Sequence, residues 1–212
     1  MKKLKSLIIA AVAIASINVS TGQAVEQGNV IIDGYYGFPN LYKSVFKAAY
    51  ANSGEEVALK IGGLGPLGGR VEYMLADKIG LGLDFGFSNT FITYDEISSE
   101  YNNTTGEYDE VTYEYDFRTS KFGAMVTFNF HFLSNADKLD AYAIAGVGYG
   151  NRSFDFTSTN PDYVAESLSG LIPVAARIGA GMRYFFTDNI GLNIALGFGQ
   201  GGLLNGGLTV KF

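Results

Sequence analysis

Beyond residue 24, apolar and polar positions alternate with a period of two. Ile190, Leu192, Ile194, Leu196 and Phe198 are separated by Gly191, Asn193, Ala195 and Gly197. Ile79, Leu81, Leu83, Phe85 and Phe87 alternate in the same way with Gly80, Gly82, Asp84 and Gly86. Between Phe122 and Phe132 the opposite face carries Gly123, Met125, Thr127, Asn129 and His131, with Lys121 just before it. Val174 to Tyr184 alternates with Ala175, Arg177, Gly179, Gly181 and Arg183, and Leu204, Leu208, Val210 and Phe212 face away from Asn205, Gly207, Thr209 and Lys211. Successive strand side chains point to opposite faces, so each segment predicts a two-faced strand. Eight such strands are predicted, roughly at 28–37, 66–75, 79–95, 111–133, 139–156, 171–186, 190–199 and 203–212.

The polar face is rich in glycine, with scattered charge. Glycine weakens a strand exposed to water but suits the crowded inside of a narrow barrel. The bulky apolar face then meets lipid, a reading we favour over a soluble barrel. A repeat supports hairpins of one kind: Tyr73–Phe87 (YMLADKIGLGLDFGF) matches Tyr184–Phe198 (YFFTDNIGLNIALGF), each a strand, a short polar turn and a strand. Even strand number, with short turns at one end and long connections at the other, predicts an all-β fold: a single eight-stranded antiparallel up-and-down transmembrane β-barrel. Only a closed sheet or helices can pair every backbone polar group within a bilayer.

Composition narrows the picture. The 212 residues include no Cys, which removes disulfides, thiolate zinc sites and Cys nucleophiles. Residues 1–24 read as a secretory signal peptide: Lys2, Lys3 and Lys5, an apolar run from Leu7 to Ile17, then Gly22 and Ala24 before a cut at Val25. An uncleaved anchor is the alternative, but the run is shorter than a spanning helix needs. Residues 25–212 then form the barrel domain. The whole chain carries a formal charge of −6, and losing three Lys makes the remainder more acidic. That balance argues against a nucleic-acid partner.

At this point the chain resembles the small eight-stranded outer-membrane barrel family that includes OmpX, Ail and the OmpA barrel. The hairpin copies, the signal segment and Val210-Lys211-Phe212, with apolar residues alternating back to Leu204, carry the likeness. The resemblance implies integral outer-membrane localisation with both termini periplasmic. It implies contact with outer-membrane lipid and lipopolysaccharide, and Phe212 as the terminal signal read by the barrel-assembly machinery. Trp is absent, so Tyr73, Phe132, Tyr184 and Phe186 are expected at the periplasmic rim and Phe87, Tyr149 and Phe198 at the outer one.

Two regions hold candidate chemistry. By alternation Arg70, Glu72, Asp84, Lys121, Arg177, Arg183 and Lys211 face inward, where they are expected to form an ion-pair network such as Glu72 with Arg70 or Arg183. That network either holds the barrel shut or lines a narrow ion-selective path. The second region runs from Tyr94 to Phe117, with eight acidic residues and no Lys or Arg. Tyr94, Asp95, Glu96, Tyr101, Glu107, Tyr108, Asp109 and Glu110 make it a candidate recognition loop on a protruding hairpin. A weak divalent-cation site and a merely solvated, repulsive loop remain open beside it. The connection 39–63 is expected to hold either a short amphipathic helix capped by Asn40 or an irregular loop.

No enzyme is expected. The one histidine, His131, sits near the periplasmic end of its strand and is assigned a lumenal hydrogen bond. Gly62-Gly63-Leu64-Gly65 lacks what a phosphate loop requires. No cofactor or metal is assigned. The expected role is surface structural or adhesive, through loops that meet an extracellular protein or cell-surface ligand; a narrow porin-like channel is the alternative.

Overall fold

The computed structural model describes residues 23–50, 59–133, 135–170 and 172–212. Residues 1–22 of the expected signal segment lie outside them. The elements are β1 (Val30–Phe38), α1 (Leu41–Tyr50), β2 (Lys60–Gly62), β3 (Leu67–Ala76), β4 (Ile79–Asn102), β5 (Glu107–His131), β6 (Leu139–Ser158), β7 (Glu166–Ser169), β8 (Val174–Phe185), β9 (Ile190–Gly199) and β10 (Leu204–Lys211).

Among the described residues, eight strands close on themselves in the order β1, β3, β4, β5, β6, β8, β9, β10 and back to β1, all antiparallel. The seam is completed by reciprocal bonds between Val30 and Phe212: the Val30 amide donates at 3.0 Å and the Phe212 amide at 2.9 Å. Two short strands extend the wall at one end. β2 continues the line of β3 along β4, and β7 continues that of β8 along β6. Each line is interrupted beside a proline, Pro66 or Pro173, which has no N–H to donate to a ladder. Gly63 bridges the first interruption at φ +134°, and a Cβ there would lie 2.4 Å from the Asn89 carbonyl oxygen.

Burial follows the alternation. Ile32, Val71, Leu81, Leu83, Phe85, Val126, Phe128, Ile178, Leu192, Ile194 and Leu208 face outward and exposed. Asp33, Arg70, Glu72, Asp84, Thr127, Asn129, His131, Asp140, Arg183 and Thr209 are buried inside. The barrel is thus inverted relative to a soluble one, polar within and apolar without. All seven residues expected to form aromatic girdles point outward.

The two ends differ. At the end holding both Val30 and Phe212, Gln23–Asn29 folds beneath the barrel, with the Gly28 amide donating to the Met74 carbonyl. Ala24 and Val25 pack there with Ile31, Met74 and Phe185 as an apolar cluster. At the other end, β4 and β5 run far beyond the other strands. The sequence placed their limits at 95 and 111; pairing instead continues to Asn102↔Glu107. At about 3.4 Å per residue, β4 extends roughly 50 Å past Phe87. α1 also lies at this end and not in the lumen. Asn40 caps it, its Oδ1 accepting from the Lys43 amide at 3.2 Å, while its own side-chain amide donates to the Leu64 and Asn89 carbonyls.

Candidate functional site

The lumen is built in layers set by register. The lowest polar layer centres on Arg183, wholly buried on β8. Its Nε donates to Asp33 Oδ1 at 3.1 Å and its Nη2 to Asp33 Oδ2 at 2.8 Å. Nη2 also reaches Glu72 Oε2 at 2.7 Å, and Nη1 reaches Asp140 Oδ2 at 2.9 Å. Tyr142 lies beneath the guanidinium, its ring centroid 4.3 Å away, in a cation–π contact. His131 stands between two carboxylates, Nδ1 at 2.7 Å from Asp140 and Nε2 at 2.8 Å from Glu72. Each ring nitrogen thus lies within hydrogen-bonding distance of a carboxyl oxygen, and His131 bridges the two acids. Glu72 and Arg183 occupy equivalent positions just before the two copies of the repeat, and they meet across the lumen.

Above this, Arg70 donates through Nε to Asp84 at 3.2 Å and through Nη1 to Asp33 at 3.4 Å and to the Tyr142 hydroxyl at 3.1 Å. The Tyr35 hydroxyl donates to Asp84 Oδ1 at 2.7 Å. Asp33, Glu72, Asp84 and Asp140 are therefore each met by Arg70, Arg183 or His131. A buried ion cluster persists only when paired and hydrogen-bonded in this way.

The next layer is a stopper. Gly86, Gly123 and Gly150 pair laterally across β4, β5 and β6 and all face inward. The β9–β10 turn, residues 199–202, folds into the space left by Gly86 and Gly123. Gln200 is buried, and its side-chain amide donates to Asp84 Oδ1 at 2.8 Å. Arg177 Nη1 donates to the Gln200 carbonyl, while the buried Nε and Nη2 of Arg177 have no protein partner among the described residues. A Cβ on Gly123 would sit 2.0 Å from Gln200 Oε1, and one on Gly86 would sit 2.7 Å from Gln200 Cδ. Gly123→Val is therefore expected to lose about 1–3 kcal/mol of stability through overpacking. Adding Gln200→Ala should recover most of that loss in a double-mutant cycle read by urea unfolding. A strictly additive cycle would mean that Gln200 does not occupy the glycine cradle.

The expected lumenal residues thus divide. Arg70, Glu72, Asp84 and Arg183 share one network, and Arg177 joins it through the stopper. Lys121 faces inward above the stopper. Lys211 lies apart at the terminal end, its Nζ donating to the Ala24 carbonyl at 2.7 Å and lying 5.1 Å from the Phe185 ring centre. Asp33, Tyr35, Asp140, Tyr142 and Gln200 were missing from the expected network. Alternation from Ile31 and from Ile144 already turns Asp33, Tyr35, Asp140 and Tyr142 inward. Gln200 sits in a turn, where no periodicity points it anywhere.

The protruding hairpin carries the second set. Asp95, Glu96, Glu107, Asp109 and Glu110 are all exposed. Cross-strand pairs set the tyrosines: Tyr94 stacks on Tyr115 at 5.2 Å, and Tyr101 meets Tyr108 edge-on at 5.3 Å. Tyr163 packs edge-on against Tyr115 at 5.6 Å. The Tyr113 hydroxyl donates to the Glu100 carboxylate, and its phenol is pushed up to about 12, first by that bond. Asp116 holds the exposed Arg118 guanidinium in a 2.8 Å ion pair. Near the tip, Ile97, Tyr101 and Tyr108 are among the most exposed apolar side chains. Beyond Thr93, β4 has a ladder partner on the β5 side alone among the described residues, so one edge of the hairpin is open.

No helix among the described residues is long and apolar enough to cross a membrane. None of the curated proteins matches the chain. Among solved structures, the chain is similar to the N-terminal β-barrel domain of Pseudomonas aeruginosa OprF, with 19% identity over 89% of this chain and 100% of that one, at a TM-score of 0.44. It is also similar to the outer membrane protein OprG of Pseudomonas aeruginosa (13% identity, 91% and 98% covered, TM-score 0.47). The attachment invasion locus protein Ail of Yersinia pestis is similar at 14% identity, with 88% and 99% covered and a TM-score of 0.36. The model for the outer membrane protein beta-barrel domain matches residues 8–198, and the chain belongs to that outer-membrane family.

Proposed function

We propose that this outer-membrane barrel is a surface-displayed anchor whose working part is the β4–β5 hairpin, acting in adhesion or another surface contact. The end carrying Val30 and Phe212 is periplasmic and the hairpin end is extracellular. One observation carries this reading: the hairpin holds a paired, tyrosine-studded ladder far above the barrel rim, with Ile97, Tyr101 and Tyr108 exposed near its tip. Tyrosine supplies large contact area at small entropic cost, which suits recognition. The lumen, by contrast, is occupied by the Arg183 network and the Gln200 stopper, as suits a scaffold.

Cells displaying the chain are expected to adhere to a partner surface, and a variant lacking residues 96–110 to lose that adhesion. The variant should still shift on a gel between unheated and boiled samples, as a folded barrel does. Undiminished adhesion by the folded deletion variant would sink the proposal. The same two proteins in a planar bilayer test the channel reading. Discrete current steps that survive the deletion and change with Arg177→Ala would favour a narrow pore.

A further inference from the structure

Residues 23–29 are built into the foot of the barrel, and they contain the bond at which a cut before Val25 would fall. Ala24 is 1% exposed and Val25 is fully buried, packed with Ile31, Met74 and Phe185. The Ala24 carbonyl accepts from the Lys211 ammonium at 2.7 Å, and that ammonium lies 5.1 Å from the Phe185 ring centre. The residues on either side are tied down as well. The Gln23 side-chain amide donates to the Asp77 carbonyl at 2.7 Å, and the Gln27 amide donates to the Asp77 carboxylate at 3.0 Å. A cut before Val25 would remove the carbonyl that Lys211 uses. It would also leave the charged amino group of Val25 in an apolar cluster, no more than about 5 Å from the Lys211 ammonium. An ion taken out of water needs a partner of opposite charge, and here its neighbour is another cation. Gln23, by contrast, is half-buried, so a chain beginning there keeps its charged end within reach of water. Small residues precede that position too: Ser20 and Gly22 stand at −3 and −1.

We propose that export processing cuts the chain before Gln23, and that Gln23 and Ala24 stay in the mature protein as part of a seal across the end that holds Val30 and Phe212. This moves the cut by two residues from the position that the sequence alone suggests, before Val25. It rests on the first residues being an export signal and not on any role of the hairpin. Hydrolysis of the Gly22–Gln23 peptide bond consumes one water, leaving a carboxylate on the released segment and a free amino group on Gln23. A signal peptidase meets the chain while it is still extended, so burial in the finished barrel does not hinder the cut. The fold constrains it in the other direction: whatever terminus is left must be accommodated by the foot of the barrel, and the pocket closed by Lys211 and Phe185 accommodates a neutral peptide unit at Ala24, not a charged end at Val25.

The test is the intact mass of the protein extracted from the outer membranes of cells expressing the full chain, with fragmentation to read the amino terminus. A chain of residues 23–212 is expected; residues 25–212, or the uncut chain, would overturn the proposal. Ala24→Leu should leave the terminus at Gln23, because Ala24 then lies beyond the cut. Ser20→Lys should stop processing at that bond, because the −3 position must be small. The reverse pattern, with processing lost in Ala24→Leu and normal in Ser20→Lys, overturns it. Both masses are read on denatured protein, so a folding defect does not mask the result. A second measurement compares residues 23–212 and 25–212 refolded into micelles, and the shorter chain should unfold at lower urea. Lys211→Met should lower the midpoint of the longer chain, which loses a hydrogen bond, and raise that of the shorter one, which loses an opposed charge. Equal midpoints for the two parents would mean that Gln23 and Ala24 seal nothing, and the proposal falls.

Discussion

Arg183→Met is expected to cost the folded barrel about 3–5 kcal/mol, the usual penalty for removing one partner of a buried ion pair. Among the described residues, the guanidinium is the one group that touches Asp33, Glu72 and Asp140 together. Met fills a similar volume, so the loss is one of charge and donors more than of packing. It strands carboxylates in a lumen where Arg70 already serves Asp33 and Asp84, and His131 is left to serve Glu72 and Asp140. Arg183→Lys should recover little, because an ammonium restores the charge but cannot reproduce a planar fork reaching three residues. The measurement is urea unfolding of the refolded variants in micelles, checked by the gel shift on boiling. A loss under about 1 kcal/mol would mean the network is hydrated and shared far more loosely than the distances imply.

Leu83→Arg is expected to cost about 2–4 kcal/mol in a lipid bilayer. Leu83 is 49% exposed, points away from the lumen and lies mid-band between Val71 and Val126 of the neighbouring strands. On a water-facing surface the same change would fall within about 0.5 kcal/mol. Ile97→Arg supplies the contrast: at 67% exposure on the protruding hairpin, it should stay within that smaller range. Unfolding from lipid vesicles reads both variants. Equal effects at the two positions would contradict a lipid-facing band around Leu83.

Much of this was legible in the alternation. A period of two assigns each side chain to a face, and the excess of glycine on the polar face tells which side is crowded. That is why Glu72 and Arg183 could be placed inside before any register was known. Three features stayed hidden for separate reasons. The length of β4 and β5 was obscured because their distal halves are solvated on both faces, so the apolar alternation fades after Ile92 although the ladder continues. The division of one wall line into β2 and β3 depends on Pro66 and on the turn at Gly63, which periodicity does not report. The Gln200 stopper depends on Gly86 and Gly123 coming level on neighbouring strands, a fact of register and not of spacing. Residues 1–24 were read from their charge and apolar run alone.

The seam between β1 and β10 has a consequence for assembly. Its bonds join the two strands farthest apart in the chain, so each must wait for all the others before it gains its second neighbour. Until then the sheet has two raw edges, which cannot be left unpaired in hydrocarbon. Contacts of such long sequence separation also fold slowly. The lumenal ions add to the constraint: Arg183 on β8 needs Asp33 on β1, Glu72 on β3 and Asp140 on β6, which come together only as the cylinder curls shut. Insertion and closure are therefore expected to be one concerted event, and a half-built sheet has no stable place in the bilayer.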